Sequence, residues 1–239
     1  MRYLILSDIH GNWEALTAVL ADAQGKYDQV LNCGDLVGYG PDPNAVVDWA
    51  RTNTAAGIRG NHDKSCVGLE DLEWFNPVAK TSAIWTSSVL SEQNREYLRQ
   101  LPAGPLSVSD FQILHGSPAD EDEYLVTQQE AGYVASLVST QLSFFGHTHL
   151  QGGFLLHRNG VKLLAPYTFQ LEVDSRYLVN PGSVGQPRDH DPEAAYALYS
   201  PDDRLVEFGR VPYDVETTQR KIMQAGLPDM LAYRLTVGK

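Results

Sequence analysis

The sequence predicts an α/β protein in which two β-sheets pack together with helices outside them, in place of one wound sheet. Three observations carry that expectation. Short apolar runs alternate with segments of helical period in the first half, and turn signals dominate after Pro102 to Pro105. Polar clusters follow several of the apolar runs directly, as they do where a sheet presents a site at its strand ends.

The elements follow in order. Tyr3 to Ser7 is the first apolar run, and a helix with Trp13, Leu16, Leu20 and Ala23 on one face comes next, with Asn12 as its cap. Val30 to Cys33 is the second strand. Asp42-Pro43 opens a helix, with the aspartate as cap and the proline in the first turn. A strand at Ala56 to Arg59 precedes a helix opened by Asn76-Pro77, whose Val78, Ser82, Trp85 and Val89 share a face. Ser91 caps its continuation to Arg99. Phe111 to Leu114 and Leu142 to Phe145 read as buried strands around a polar helix from Gln128 to Val138. Asn159-Gly160, between Phe154 to Arg158 and Val161 to Leu164, signals a hairpin. Ser200 to Asp203 turns between Ala195 to Tyr199 and Leu205 to Gly209, and a helix from Asp214 to about Ala225 follows, with the last dozen residues unassigned.

Length and composition narrow the class. A chain of 239 residues, 43% hydrophobic and 20% charged, suits one compact domain spanning residues 1–239. Its two cysteines, Cys33 and Cys66, match no disulfide framework or thiolate metal spacing, so the cytoplasm is the expected setting. The first apolar run is too short and too soon interrupted by Asp8 for a signal peptide, and no segment approaches a membrane span. A net charge of −12 argues against long nucleic acid as a partner, while leaving room for a small anion drawn to bound cations. Self-association into a homo-oligomer is compatible with the sequence.

The chemistry concentrates in five clusters: Ser7-Asp8-Ile9-His10, Gly34-Asp35, Gly60-Asn61-His62-Asp63, His115-Gly116 and Gly146-His147-Thr148-His149. Five of the seven histidines fall here, beside glycines and after apolar runs, which sets them apart from isolated core or capping residues. Carboxylate, amide and imidazole donors without thiolate suit manganese, iron, zinc, cobalt or nickel, and speak against a structural zinc site. The two-residue spacing in Asp8/His10 and His147/His149 is expected to put both side chains of each pair on one side of an extended backbone.

In this order the clusters resemble the motifs of the calcineurin-like metallophosphoesterases: Asp-x-His, Gly-Asp, Gly-Asn-His-Asp/Glu, His and Gly-His-x-His. The match runs from Asp8 to His149. The resemblance implies a four-layer αββα sandwich with two mixed sheets. It implies two divalent ions, manganese foremost, with Asp8, His10 and His149 on the first, Asn61, His115 and His147 on the second, and Asp35 bridging. It further implies in-line attack of a metal-bridging hydroxide on a phosphate ester, with His62 free of metal and acting as an imidazolium on the phosphoryl oxygens or the departing alkoxide. For Asp63 two readings stand: it tunes His62, or it caps the next segment.

The Asp-Arg pair of the protein phosphatases in that superfamily is absent from Gly34-Asp35-Leu36-Val37-Gly38-Tyr39-Gly40. The chain looks more like the small bacterial and archaeal members, which act on phosphodiesters such as cyclic nucleotides or on simple phosphomonoesters. Asn61, His62 and Arg188 are the candidates for holding substrate; Arg188 lies in a loop, Asn180 to Arg188, similar to one in those members, and reads equally as a surface arginine on a turn. Trp74 and Phe75 read as core or staple contacts ahead of base-stacking residues. The run Asp120 to Glu123 reads as a solvated loop, His157 as a hairpin residue, and Cys33 as a thiol packed behind Asp35. Rival readings are a non-catalytic metal-binding scaffold on the same fold, opposed by the complete ligand set, and a nuclease, opposed by the charge.

Overall fold

In the computed structural model, residues 1–73 and 75–239 are described; Trp74 and the contact expected of it lie outside them. The chain runs β1 (Tyr3–Leu6), α1 (Trp13–Asp22), β2 (Gln29–Asn32), α2 (Pro43–Asn53), β3 (Thr54–Gly57), α3 (Asn61–Cys66), α4 (Pro77–Val89) and α5 (Glu92–Gln100). It continues with β4 (Leu106–Val108), β5 (Phe111–Ile113), α6 (Gln128–Val134), β6 (Leu142–Phe144), β7 (Gly152–His157), β8 (Gly160–Leu164), β9 (Phe169–Gln170) and β10 (Arg176–Asn180). β11 (Ala194–Ser200), β12 (Leu205–Val211), α7 (Val215–Gln224) and α8 (Asp229–Tyr233) complete it.

Two six-stranded mixed sheets result, ordered β3-β2-β1-β11-β12-β9 and β4-β5-β6-β10-β7-β8. Strand alternation makes the layers. Tyr3 and Ile5 of β1 point into the core between the sheets, with Leu31, Phe111, Phe144, Val179 and Ala197, while Leu4 and Leu6 point the other way, to Leu16 and Val19 of α1 and Val46 and Val47 of α2. A third cluster seats α6 on the outer face of the second sheet through Ala131, Val134, Phe154 and Leu178. Both outer faces are therefore covered, as the two-sheet expectation requires.

Differences are local. Asn12 caps α1 as expected, accepting from the Ala15 N–H. In α4 the buried face is Ala79, Ser82, Ala83 and Thr86, while Val78 and Trp85 pack at its flank and Val89 is exposed; small residues let the helix approach its neighbours and push the bulky ones aside. The hairpin turn proper is Arg158-Asn159, because Gly160 already pairs with His157 at φ +126°. α3, β4, β9, β10 and α8 were not foreseen.

What positions the site is strand direction. β1, β2 and β3 are mutually parallel, and so are β5, β6 and β10, so the six carboxyl ends carry their polar loops to one edge of the sandwich. No helix among the described residues is long and apolar enough to cross a membrane.

Candidate metal centre

Asp8 and His10 follow β1, Asp35 follows β2, Asn61, His62 and Asp63 form the first turn of α3 after β3, His115 follows β5, and His147 and His149 follow β6. Apart from the half-buried Asn61, all of them are buried. Their donor atoms converge into two groups, Asp8–His10–His149 and Asp35–His115–His147, and a third, His10–Asp35–His62, overlaps both. Asp35 Oδ2 stands 3.6 Å from His10 Nε2 and 3.4 Å from His115 Nε2, between the first two groups. Asn61 Oδ1 lies 3.3 Å from His115 Nε2, and Asp8 Oδ1 3.3 Å from His149 Nε2.

The backbone differs from the extended geometry expected of the paired clusters. Asp8, His10, Asp35, His147 and His149 all have positive φ, between 50° and 66°. For an L-residue each such conformation costs about 1–2 kcal/mol and persists only where its surroundings enforce it. Here the enforcement is a lattice of main-chain bonds: Asp8 N–H to Gly34 O, His10 N–H to Asp35 O, and Gly185 N–H back to Asp8 O. The spacing thus brings Asp8 and His10 to one group through left-handed turns and not through strand alternation, while His147 and His149, expected to share one centre, are divided between the two groups. Two motif glycines are explained by crowding. A Cβ on Gly60 would sit 2.6 Å from Asp35 Cγ, and one on Gly146 would sit 2.8 Å from Asp8 Oδ2 and against Ser7 Oγ.

The ring nitrogens facing away from the centre are fixed by main-chain carbonyls. His10 Nδ1 meets Val37 O at 2.9 Å, His115 Nδ1 meets Cys33 O at 2.8 Å, His149 Nδ1 meets Gln186 O at 2.6 Å, and His147 Nε2 meets Asp122 O at 3.0 Å. Only a protonated nitrogen satisfies a carbonyl, so the opposite nitrogen of each neutral ring presents a lone pair inward. His10 Nε2 and His149 Nε2 then face each other at 3.1 Å with no proton to share. Converging lone pairs beside two carboxylates fit cations, and their N/O character fits two divalent transition-metal ions.

Electrostatics agree with that fit. Burial opposes ionisation of Asp8 and Asp35, but the surrounding imidazoles outweigh it and hold both carboxyls below the usual range. Burial pushes His147 down to about 3 and His10 well below its ordinary value. At His115 burial is outweighed by Asp35 and Asp8, which push the imidazole up to about 10, so a metal ion taken there displaces a proton. At His62 burial dominates, Asp35 opposes it and Arg188 reinforces it, giving about 4. Burial therefore works against the imidazolium expected at His62 and favours the neutral ring.

Asp63 takes the capping role of its two readings. Its Oδ2 accepts from the Asp35 and Gly60 N–H groups at 2.9 and 3.1 Å, and its Oδ1 from the Val37 N–H at 3.1 Å. It braces the Asp35 loop, and among the described residues no bond joins it to the His62 ring. Arg188 sits at the site: its guanidinium lies 5.7 Å from the Tyr39 ring centroid, its Nη2 donates to Gln186 Oε1, and its Nε has no partner among the described residues.

Sequence reasoning missed Tyr39, whose ring packs on His10 and His62, and Tyr124, which stacks on His147 at 3.9 Å. The run Asp120 to Glu123 is not simply solvated. Glu121 and Asp122 pair with Lys64, and the Asp122 carbonyl meets His147. Phe75 packs edge-on against His62 and is only partly buried, so it is a wall of the site more than a core contact. Tyr39, Phe75, Tyr124, Glu70 and Asp122 line an open cleft of about 350 Å³ that reaches Asn61, His62 and His147.

A family model described as the calcineurin-like phosphoesterase superfamily domain matches residues 1–204. The uncharacterized protein MJ0912 of Methanocaldococcus jannaschii is 35% identical over 242 residues, covering 98% of this chain and 97% of that one. Among solved structures, a metallophosphoesterase from Sphaerobacter thermophilus superposes with a TM-score of 0.88 at 38% identity, over 100% of this chain and 99% of that one. A hypothetical protein, PH1004, of Pyrococcus horikoshii shares the fold, with a TM-score of 0.80 at 21% identity over 100% and 98% of the two chains.

Proposed function

The chain belongs to the calcineurin-like phosphoesterase superfamily, and on that premise we propose that it hydrolyses small phosphodiesters or phosphomonoesters at a dinuclear metal centre. The observation that carries the reading is the shared carboxylate: Asp35 Oδ2 stands between the Asp8–His10–His149 group and His115. Asp8, His10 and His149 would hold one ion, Asn61, His115 and His147 the other, and Asp35 both. Manganese leads the candidates, with iron, zinc, cobalt and nickel suited to the same donors. Such a pair, when bound, supplies Lewis acidity and an activated water at neutral pH.

The chain's own residues supply the rest. His62, neutral and with Nδ1 buried and unpartnered, is assigned its proton on Nε2, from which it donates to a phosphoryl oxygen. Arg188 is a permanent cation beside Tyr39 and adds a second contact for the phosphate. Asn61, on the cleft side of α3, orients the ester. The open cleft leaves room for a second ester group, which admits diesters as well as terminal phosphates. The substrate is small; the charge of −12 opposes long nucleic acid. Two buried free cysteines accord with the cytoplasm.

The test is hydrolysis of bis(p-nitrophenyl) phosphate and p-nitrophenyl phosphate by metal-stripped protein refilled with manganese, beside Asp35→Asn. Activity restored by metal and missing from the variant supports the reading and ranks the two substrate classes. Inactivity toward both with metal bound would move the assignment to a binding scaffold.

A further inference from the structure

Three of the four inward-facing histidines take their orientation from carbonyls next to other site residues: Val37 in the loop braced by Asp63, Cys33 before Gly34, and Gln186 before Arg188. His147 does not. Its Nε2 donates to the Asp122 carbonyl and its ring lies against Tyr124, and both partners belong to the segment 114–127, which runs between β5 and α6 without a helix or strand of its own. A loop is a poor mount for a ligand unless something fixes it.

Turn bonds such as Asp122 N–H to Asp120 Oδ1 and Ser117 N–H to Asp120 O shape the loop, and Lys64 ties it to α3. Its ammonium reaches Glu121 Oε1 at 3.1 Å and both Asp122 carboxylate oxygens at 2.9 and 2.7 Å, and also Glu70 Oε2 at 3.2 Å. Arg59 adds a two-pronged bond to Glu121, at 3.0 and 2.8 Å. Lys64 is 6% exposed, and a lysine buried to that degree is rare unless its charge is matched. Lys64 also lies one turn along α3 from Asn61. The same helix therefore presents one ligand of the second site and, through one side chain, ties down the loop that aims another.

We propose that Lys64 is a positioning residue for the second metal site: by clamping Glu121 and Asp122 it holds the Asp122 carbonyl on His147 Nε2, which keeps Nδ1 of His147 free to bind metal. The proposal rests on the dinuclear reading above. It makes the two sites unequal. The first is mounted on turns locked by main-chain bonds, and the second depends on an ion-pair cluster between α3 and a loop.

The experiment compares wild type with Lys64→Met, Lys64→Arg and Asp122→Asn, the last leaving α3 untouched. In metal-free protein labelled with ¹⁵N-histidine, wild-type His147 should show one tautomer, protonated at Nε2. Lys64→Met and Asp122→Asn should show tautomer averaging at His147 alone, and Lys64→Arg should restore the single form. On manganese titration, wild type should take two ions; the two disrupted variants should keep the first and bind the second about 10- to 100-fold more weakly. An unchanged His147 tautomer with both ions bound at wild-type affinity in Lys64→Met and Asp122→Asn would overturn the proposal. If Lys64→Met fails to fold, Asp122→Asn decides it. If wild type binds no metal, the dinuclear reading falls, and the tautomer comparison still decides the role of Lys64.

Discussion

Gly60→Ala isolates the crowding at the shared carboxylate. Gly60 has φ −108° and ψ −179°, a backbone that alanine adopts freely, so left-handed strain does not enter. The added methyl would lie 2.6 Å from Asp35 Cγ and 2.7 Å from the Asp35 nitrogen, and closer to Oδ1. To reach ordinary contact near 3.4 Å, Asp35 Cγ must retreat by about 0.8 Å and the nearer Oδ1 by more. Its backbone is held by Asp63, so the retreat falls on the carboxylate, at the expense of the bond its Oδ1 accepts from the His62 N–H at 2.9 Å. Overpacking of this kind costs about 1–3 kcal/mol of stability. A displacement approaching 1 Å in a reacting site costs roughly 100-fold in turnover. Calorimetric manganese titration, turnover of a chromogenic ester and urea denaturation measure the three effects. Gly132→Ala serves as control, since its Cβ would meet nothing nearer than 3.8 Å. Gly60→Ala protein that binds two ions with wild-type affinity and turns over normally would show that the Asp35 carboxylate absorbs the added methyl without loss.

Stripping metal from protein held in manganese at about 100 times its Kd removes about 2.7 kcal/mol, which for a chain of this size lowers Tm by about 5–11 °C in a scanning melt. His62→Gln should depress turnover severely while elemental analysis still finds both metals; loss of metal would make His62 a ligand. Asp63→Ala strips three buried N–H groups of their acceptor and should cost roughly 3 kcal/mol or more in denaturant unfolding. For pH, burial pushes the Glu121 carboxyl up, but Arg59 and Lys64 outweigh it and hold it below its ordinary 4.5. A depressed value contributes stability that is complete above 4.5 and is lost as pH falls through the folded value. Glu121→Gln should accordingly flatten the acid limb of the pH–stability curve, and an unchanged limb would show that the pairs with Lys64 and Arg59 add nothing.

The layers and the convergence of polar residues at the strand ends were legible because they are written in side chains. Leu4 and Leu6 against Tyr3 and Ile5 announce a strand buried on both faces, and five polar clusters after apolar runs announce strand ends. What escaped notice depends on the main chain or on pairing. β10 offers only Tyr177, Leu178 and Val179 as an apolar signal, yet it lies between β6 and β7, whose ladders make it a strand. β4 and β9, with three and two residues at sheet edges, exist through one partner each. The carbonyls that fix the histidine tautomers belong to Val37, Cys33, Gln186 and Asp122, residues whose identities say nothing of that task.

The paired motifs show how residues can converge through a geometry other than the one their spacing suggests. An Asp-x-His spacing does bring both side chains to one centre, but at φ 53° and 50° the chain is turning left-handed and not extending. Three of the five strained candidate ligands are histidines and two are aspartates, types that tolerate this region better than β-branched residues do. The strain belongs to the arrangement: a turn tight enough to aim residues i and i+2 at one group, as Asp8 and His10 are, or at two adjoining groups, as His147 and His149 are, with main-chain bonds of neighbouring loops holding it there. Stability and function are therefore opposed at these positions, because the residues that would relax the backbone, glycine above all, are the ones that carry no ligand. A cation taken up by His10 and His149 would remove the repulsion of their facing lone pairs, and its binding would return part of the energy the fold spends on assembling the site.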